Sequence, residues 1–250
     1  MAEKTGISWT DATFNPWWGC AKVSPGCKHC YAETLSARYG HDIWGVNGSR
    51  RFFGDAHWNE PYKWDRKAAR DGVRRRVFCG SMCDILEDRP DLEDPRARVL
   101  ITAWNTPNLD WLFLTKRIEN AEWMFPASWL NGKWPDNIWL GTSIENQDYA
   151  FRASILMEVP AAVRFISAEP LLGNLYLEKQ FARHGIDWVI IGGESQKGCR
   201  PMELSWARYL VEQCREYGVA PFVKQLGGHP DKRARPAEWS ADLQVQEFPR

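Results

Sequence analysis

Three cysteines in one short loop are the residues of this sequence with the most chemistry to offer: Cys20-Ala-Lys-Val-Ser-Pro-Gly-Cys27-Lys-His-Cys30. Pro25 and Gly26 turn the chain between them, so that three thiolates can converge on one metal centre. A structural zinc ion is usually closed by four ligands, whereas a four-iron, four-sulfur (4Fe-4S) cluster held by three thiolates keeps one iron open to an exogenous ligand. The number therefore points to Cys20, Cys27 and Cys30 as ligands of a 4Fe-4S cluster. Zinc stays open as an alternative if His29, His41, Cys79 or Cys83 supplies a fourth ligand. Three unligated thiols fit less well, because such a loop would be exposed and oxidisable.

The elements that must position this loop are read from hydrophobic pattern. Short apolar runs rich in β-branched and aromatic residues predict strands at Arg76–Cys79, Leu109–Thr115, Asn137–Thr142, Val163–Ser167, Trp188–Ile191 and Pro221–Lys224. Helical stretches fall between them at Pro95–Trp104, Ile118–Trp123, Gln147–Glu158 and Ser205–Tyr217. Strands buried on both faces and alternating with helices predict a parallel sheet with ligands at its carboxyl ends. The turns at those ends repeat small residues and single charges: Cys79-Gly80-Ser81-Met82-Cys83-Asp84, Thr115-Lys116-Arg117, Gly141-Thr142-Ser143-Ile144-Glu145-Asn146, Ser167-Ala168-Glu169-Pro170 and Gly192-Gly193-Glu194-Ser195. Helix capping accounts for any one of them but poorly for all five, and a polar barrel mouth accounts for the set.

Composition sets the outer limits. The 250 residues hold 32 Lys and Arg against 32 Asp and Glu, so no blanket attraction to a polyanion is encoded and any such partner must meet a local patch. With 44% hydrophobic and 26% charged residues the chain reads as one folded domain over 1–250, excluding disorder, collagen and coiled coil. No run approaches the roughly 20 apolar residues that cross a bilayer. The start MAEKTGISW lacks the apolar block of a signal peptide, so a cytoplasmic protein with no membrane partner is expected. In that compartment the seven cysteines read as metal ligands or buried thiols before disulfides. Residues 40–75 fit no βα unit and read as an insertion over the mouth, and 227–250 as a polar tail wrapping the surface.

The C-x6-C-x2-C spacing, with Tyr31 next and AETLSARY beyond, resembles a variant of the C-x3-C-x2-C signature of radical S-adenosylmethionine (radical SAM) enzymes. The segments NPWWGCAKVSPGCKHCYAE, LTKR, GTSIEN, ISAEPLLG, WVIIGGES and PFVKQLGG resemble a phage and bacterial family of unknown function, itself distantly similar to spore photoproduct lyase. The resemblance runs from about Ile7 to Gly228. It departs from the superfamily in its six-residue first spacing. It implies a (β/α) partial TIM-type barrel of about six parallel strands, with the cluster loop after the first. It also implies SAM chelated to the open iron and cleaved on reduction to a 5′-deoxyadenosyl radical that abstracts hydrogen from a substrate. An electron donor such as flavodoxin or ferredoxin follows from that chemistry.

Chemistry then proposes partners for these groups. Gly80 and Ser81 suit close backbone approach to the methionine end of SAM, and Ser143 and Glu145 its ribose or amino group. Gly192, Gly193 and Glu194 resemble the glycine-glycine-glutamate motif of radical SAM enzymes, but come late in the chain. Glu169, Lys116 and Arg117 are the candidate catalytic or substrate-contacting residues, with Arg200 as a further cation; an ion pair with Lys116, Arg117 or Lys224 is the plainer reading of each glutamate. Lys63, Arg66, Lys67, Arg70, Arg74, Arg75 and Arg76, interleaved with Trp58, Tyr62 and Trp64, make a candidate DNA or RNA surface, with a solvated helix face as the plainer reading. Trp17 and Trp18 would shield the cluster or stack on adenine. Cys79, Cys83, Cys199 and Cys214 form either an auxiliary metal site or buried thiols. Three functions remain in play: a radical SAM enzyme on a nucleic-acid base or nucleoside, a non-catalytic iron-sulfur or zinc module, and a radical SAM enzyme on a small metabolite or peptide.

Overall fold

A run such as Leu-Asp-Trp-Leu-Phe-Leu-Thr can lie as a strand only if both its faces are covered, and that condition shapes the computed structural model, which describes residues 5–249. Its strands are β1 (Ala12–Phe14), β2 (Trp17–Trp18), β3 (Arg51–Phe52), β4 (Arg75–Cys79), β5 (Leu109–Thr115), β6 (Ile138–Ser143), β7 (Val163–Ala168), β8 (Trp188–Gly192) and β9 (Ala220–Gln225). The α-helices are α1 (Tyr31–Arg38), α2 (Asp55–Trp58), α3 (Glu60–Asp71), α4 (Glu93–Trp104), α5 (Ala121–Met124), α6 (Phe151–Glu158), α7 (Glu178–Phe181) and α8 (Leu204–Tyr217). All six strands expected from the sequence form, with ends shifted by at most one residue.

The protein is α/β, with a seven-stranded sheet in the order β1-β4-β5-β6-β7-β8-β9. Neighbours in that sheet follow one another in the chain, and β1 and β9 are its two edges. This is the order of a (β/α) barrel left open, which agrees with the partial barrel expected. The strand ahead of the cysteine loop is the three-residue β1, parallel to β4 with Ala12 opposite Val77. The pair β2 and β3 forms a separate antiparallel ribbon, Trp17 opposite Phe52.

Two compact units divide the chain. The first takes Met1–Lys22, Ala32–Leu140 and Pro160–Ala162. Its core includes Val77, Leu109, Trp111 and Phe113 on β4 and β5 and Val99 and Ala103 of α4, all without exposed surface. The second takes Val23–Tyr31, Gly141–Val159 and Val163–Arg250. There β8 is buried along its whole length and α8 lays Ala207, Leu210, Val211 and Cys214 inward at helical spacing. The tail does return over the surface: the Val223 N–H donates to Val245 O and the Trp188 indole to Glu247 O, which covers the β9 edge. Among the described residues no helix is long and apolar enough to cross a membrane.

The segment 40–75 differs from its expected role as an insertion over the mouth. Its first part does reach the loop after β4, where Arg89 donates to the carbonyls of Val46 and Gly48. Its second part is α3, a crossover helix that buries Pro61, Trp64 and Ala68 and stops at Gly72 in the left-handed region (φ +65°). It delivers the chain to the amino end of β4, and Arg74, Arg75 and Arg76 lie there, away from the carboxyl ends where a ligand is expected. Arg74 pairs with Asp110, Arg75 with Asp71 and Arg76 with Asp11. Trp58 and Trp64 are 4% and 5% exposed, and the Arg98 guanidinium lies over the Trp58 ring, so neither indole offers a face to a base. Arg66 and Arg70 are exposed on the outer face of α3, Arg70 beside Asp71. Lys63, Arg66, Lys67 and Arg70 lie along α3, an amphipathic helix, and Lys63, Arg66 and Arg70 are exposed there.

Reversing Arg74, Arg75 and Arg76 to Glu is therefore expected to leave oligonucleotide affinity and its salt dependence at the parental level, measured by fluorescence anisotropy. The same variant should lower the melting temperature, because three attractive pairs become repulsive at about 0.5–1 kcal/mol each.

Candidate functional site

In the first unit, Cys20 follows β2 and is half-buried. The Gly19 N–H donates to Met82 O at 3.0 Å, which ties the start of the cysteine loop to the turn after β4. Arg117, 7% exposed at the end of β5, donates from Nη1 to Cys20 Sγ at 3.6 Å and from Nη2 to Ala21 O at 2.9 Å. The same Nη1 donates to Asp84 Oδ2 at 3.0 Å. Asp84 also receives the Lys116 N–H at 2.9 Å and the Thr115 hydroxyl at 2.6 Å, so one buried carboxylate sets the backbone of Thr115-Lys116-Arg117. Glu87 pairs with Arg50 through both oxygens, at 2.6 and 3.1 Å. Burial pushes the Cys20 thiol up to about 12, with Asp84 adding to the rise and Arg117 opposing it. Cys20 thus carries its proton in the metal-free protein, and metal binding would have to release it.

This arrangement corrects several expectations. Arg117, expected to contact substrate, is enclosed by protein partners, and Lys116 is fixed through its backbone to Asp84. Gly80 makes the left-handed turn after β4 (φ +98°), and Ser81 Oγ receives Asn15 Nδ2 at 2.9 Å. Asn15 Oδ1 in turn receives the Met82 N–H at 2.7 Å, so both expected SAM contacts serve the link between β1 and the β4 turn. Cys79 and Cys83 are buried thiols whose burial raises them well above the ordinary range, and Cys214 is buried on the apolar stripe of α8. Trp17 is fully buried and Trp18 lies under the Arg51 guanidinium.

In the second unit, Pro25–Cys27 is a single tight turn, followed by Cys30 at the start of α1. Ser24 Oγ lies 3.7 Å from Cys27 Sγ and bonds the Glu145 carboxylate. Glu145 has no exposed surface and pairs with Arg152 Nη1 at 3.3 Å, while Arg152 also donates to Ser143 O. A Cβ on Gly26 would stand 2.5 Å from Glu145 Oε1, so only glycine fits the turn against that carboxylate. From the other side, Arg200 Nη2 donates to Pro25 O at 2.9 Å, and Glu194 receives both the Arg200 backbone N–H (2.8 Å) and its guanidinium. Burial raises the Glu194 carboxyl, but the Arg200 hydrogen bonds outweigh it and hold the group below its ordinary value.

Of the residues expected to touch SAM, Glu145 bonds Ser24 in the Cys27 turn, Glu194 holds Arg200, which reaches Pro25 O, and the Ser143 carbonyl receives Arg152. Gly192 and Gly193 serve close packing: a Cβ on Gly193 would meet Leu226 O at 2.6 Å. Glu169 pairs through both oxygens with Lys224, at 2.6 and 2.8 Å, which is the ion pair read from the sequence as its plainer role. Both of these side chains keep 19% exposure, whereas that of Glu194 keeps 4% and that of Glu145 none. Sequence reasoning missed Asn15, Ser24, Asp84, Glu87, Arg50 and Arg152 as organisers of the loops. Asp84 alone carried a signal, as the charge that closes the Cys79–Asp84 turn.

The donor set of the loop fits an iron-sulfur cluster. The three thiols are half-buried and unpaired by disulfides, and two of the sulfurs have a hydrogen-bonding group beside them, Arg117 at Cys20 and Ser24 at Cys27. Among the described residues no group of three or more His, Cys, Asp or Glu is already disposed to hold a metal ion.

Residues 4–247 match the profile of a protein family of unknown function, DUF5131. No curated protein and no solved structure matches the chain. The match takes in nearly the whole sequence, from before β1 to the tail behind β9, and the chain is a member of the DUF5131 family.

Proposed function

We propose that this chain is a radical SAM enzyme whose 4Fe-4S cluster is held by Cys20, Cys27 and Cys30. The observation that supports the reading is three half-buried cysteines on one loop, none in a disulfide, with Arg117 beside the Cys20 sulfur and Ser24 beside that of Cys27. When bound, the cluster and SAM would supply a 5′-deoxyadenosyl radical for hydrogen abstraction. The chain's own part is to shape the loop and exclude water. Glu145 and Arg200 brace the Pro25–Cys27 turn from two sides, and Arg117 fixes the backbone and sulfur at Cys20. The Glu169–Lys224 pair keeps exposure at the carboxyl ends of β7 and β9, and is the charged pair we assign to SAM or substrate. A nucleic-acid base or nucleoside remains a substrate to offer it, gripped from those strand ends and without Trp58 to Arg76.

A second reading, a non-catalytic iron-sulfur or zinc module, is favoured by the internal pairing of Glu145, Glu194 and Arg117, which leaves few groups for a second ligand.

Anaerobic reconstitution should give a brown, oxygen-sensitive protein with about four irons per chain, and Ala at any of the three cysteines should abolish the colour. Stoichiometric zinc without iron would refute the cluster. Reduced with dithionite in the presence of SAM, oligonucleotides and nucleosides, the reconstituted protein should release 5′-deoxyadenosine, detected by chromatography. A yield no higher than that of Cys30→Ala, with the cluster intact in the parent, leaves the binding module as the surviving reading. Gly26→Ala should push the turn off Glu145 at a cost of roughly 1–3 kcal/mol and lower iron content per chain. Parental iron content and melting temperature in that variant would show that Glu145 does not brace the turn.

A further inference from the structure

Arg117 stands out among the charged groups of the first unit because a buried guanidinium is aimed at sulfur. Its Nη1 is 3.6 Å from Cys20 Sγ, its Nη2 is 2.9 Å from the carbonyl of the next residue, and its own backbone N–H is held by Thr115 Oγ1 at 2.9 Å. Asp84 fixes the guanidinium at 3.0 Å and itself receives three further hydrogen bonds, from Leu86 N, Lys116 N and the Thr115 hydroxyl. Neither end of this contact is free to swing. Arg50 pairs with Glu87 and Asp84 with Arg117, so the two pairs carry no net formal charge, and the N–H···S bond is the direct contact they make with the Cys20 sulfur.

We propose that Arg117 is a positioning residue for the Cys20 sulfur, and that its N–H···S bond draws charge off that sulfur so that a cluster ligated there is easier to reduce. This rests on the cluster reading above. Hydrogen bonds to the sulfurs are among the levers that set the potential of an iron-sulfur centre, and they act on the ligand that accepts them. The bond weakens the sulfur's donation to its iron, which favours the reduced state. Cys27 has instead the Ser24 hydroxyl beside it, which also bonds the buried Glu145 carboxylate, so Cys20 and Cys27 are not equivalent. The function expected from the sequence for Arg117, contact with a substrate phosphate or carboxylate, is replaced by this internal one.

The test compares the reduction potential of the reconstituted cluster in the parent, in Arg117→Met/Asp84→Asn and in Arg117→Lys, by redox titration followed by electron paramagnetic resonance. The double variant removes one positive and one negative charge together, so local net charge is unchanged while the N–H···S bond is lost along with the Arg117 contacts to Asp84 and Ala21 O. Its reduction equilibrium should move toward the oxidised state by roughly tenfold, which is about 59 mV for one electron. Arg117→Lys keeps the charge but cannot serve Asp84, Ala21 O and Cys20 Sγ at once, and should move in the same direction by less. If the double variant does not fold, the lysine variant decides alone. Potentials equal to the parent's in the variants that fold overturn the proposal while leaving the cluster reading standing. A parent that takes up no iron overturns both.

Discussion

Ion pairs taken out of water at the ends of β4 and β5 hold the first unit in place. Arg50, Asp84, Glu87 and Arg117 are each under a tenth exposed, and charges so buried are tolerated only when paired and hydrogen bonded. Arg50 meets this by collecting Glu87 and the carbonyls of Ile43, Gly45, Gly48 and Ser49, which winds residues 43–49 around one guanidinium. Arg117 does the same with Asp84, Ala21 O and Cys20 Sγ. Removing a single partner would leave a buried charge uncompensated, typically at about 3–5 kcal/mol. The start of the cysteine loop is thus shaped by a requirement of folding.

The second unit repeats this logic with different residues. Glu145 and Glu194 are buried carboxylates, each with an arginine close by in the chain, Arg152 and Arg200. Each uses its remaining capacity on the loop: Glu145 takes the Ser24 hydroxyl, and Glu194 orients Arg200 toward Pro25 O. The Cys27 turn is consequently specified by two strand ends, and Gly26 is the residue that lets the turn approach Glu145 closely enough.

How legible this was from the sequence depends on the range of the interaction. Strands β5 to β9 were readable because burial on both faces leaves a continuous apolar run, and α8 because its buried residues recur at helical spacing. β1 is too short to leave such a run, and its partner strand lies some sixty residues away. The stretch from Glu60 to Asp71 held the helical signal as well, Pro61, Trp64 and Ala68 falling on one face, but its charges and rings also match a nucleic-acid surface. Burial of Trp58 and Trp64 decides between them, and burial is a tertiary fact. The same holds for the glutamates. Glu145 meets Ser24 across 121 residues and Glu169 meets Lys224 across 55, so no local pattern could have assigned them.

A polar residue at a strand end is available for chemistry only to the extent that folding does not already need it. Read from the sequence, the carboxyl ends of the strands present Ser143, Glu145 and Glu194 as candidates for cofactor contact and Glu169, Lys116 and Arg117 for catalysis or substrate. In the folded chain Glu145, Glu194 and Arg117 are buried in pairs whose disruption would cost stability, and their geometry is directed at the backbone and sulfur of the cysteine loop. Glu169 and Lys224 differ, because their pair retains exposure and an incoming charged group could exchange for either partner at a modest cost. The cysteines differ again: burial pushes the Cys20 thiol up, so a metal bound there would have to displace its proton. The paired charges around the cysteine loop thus set where the chain runs at Ala21 and Pro25 and which groups stand beside Cys20 and Cys27.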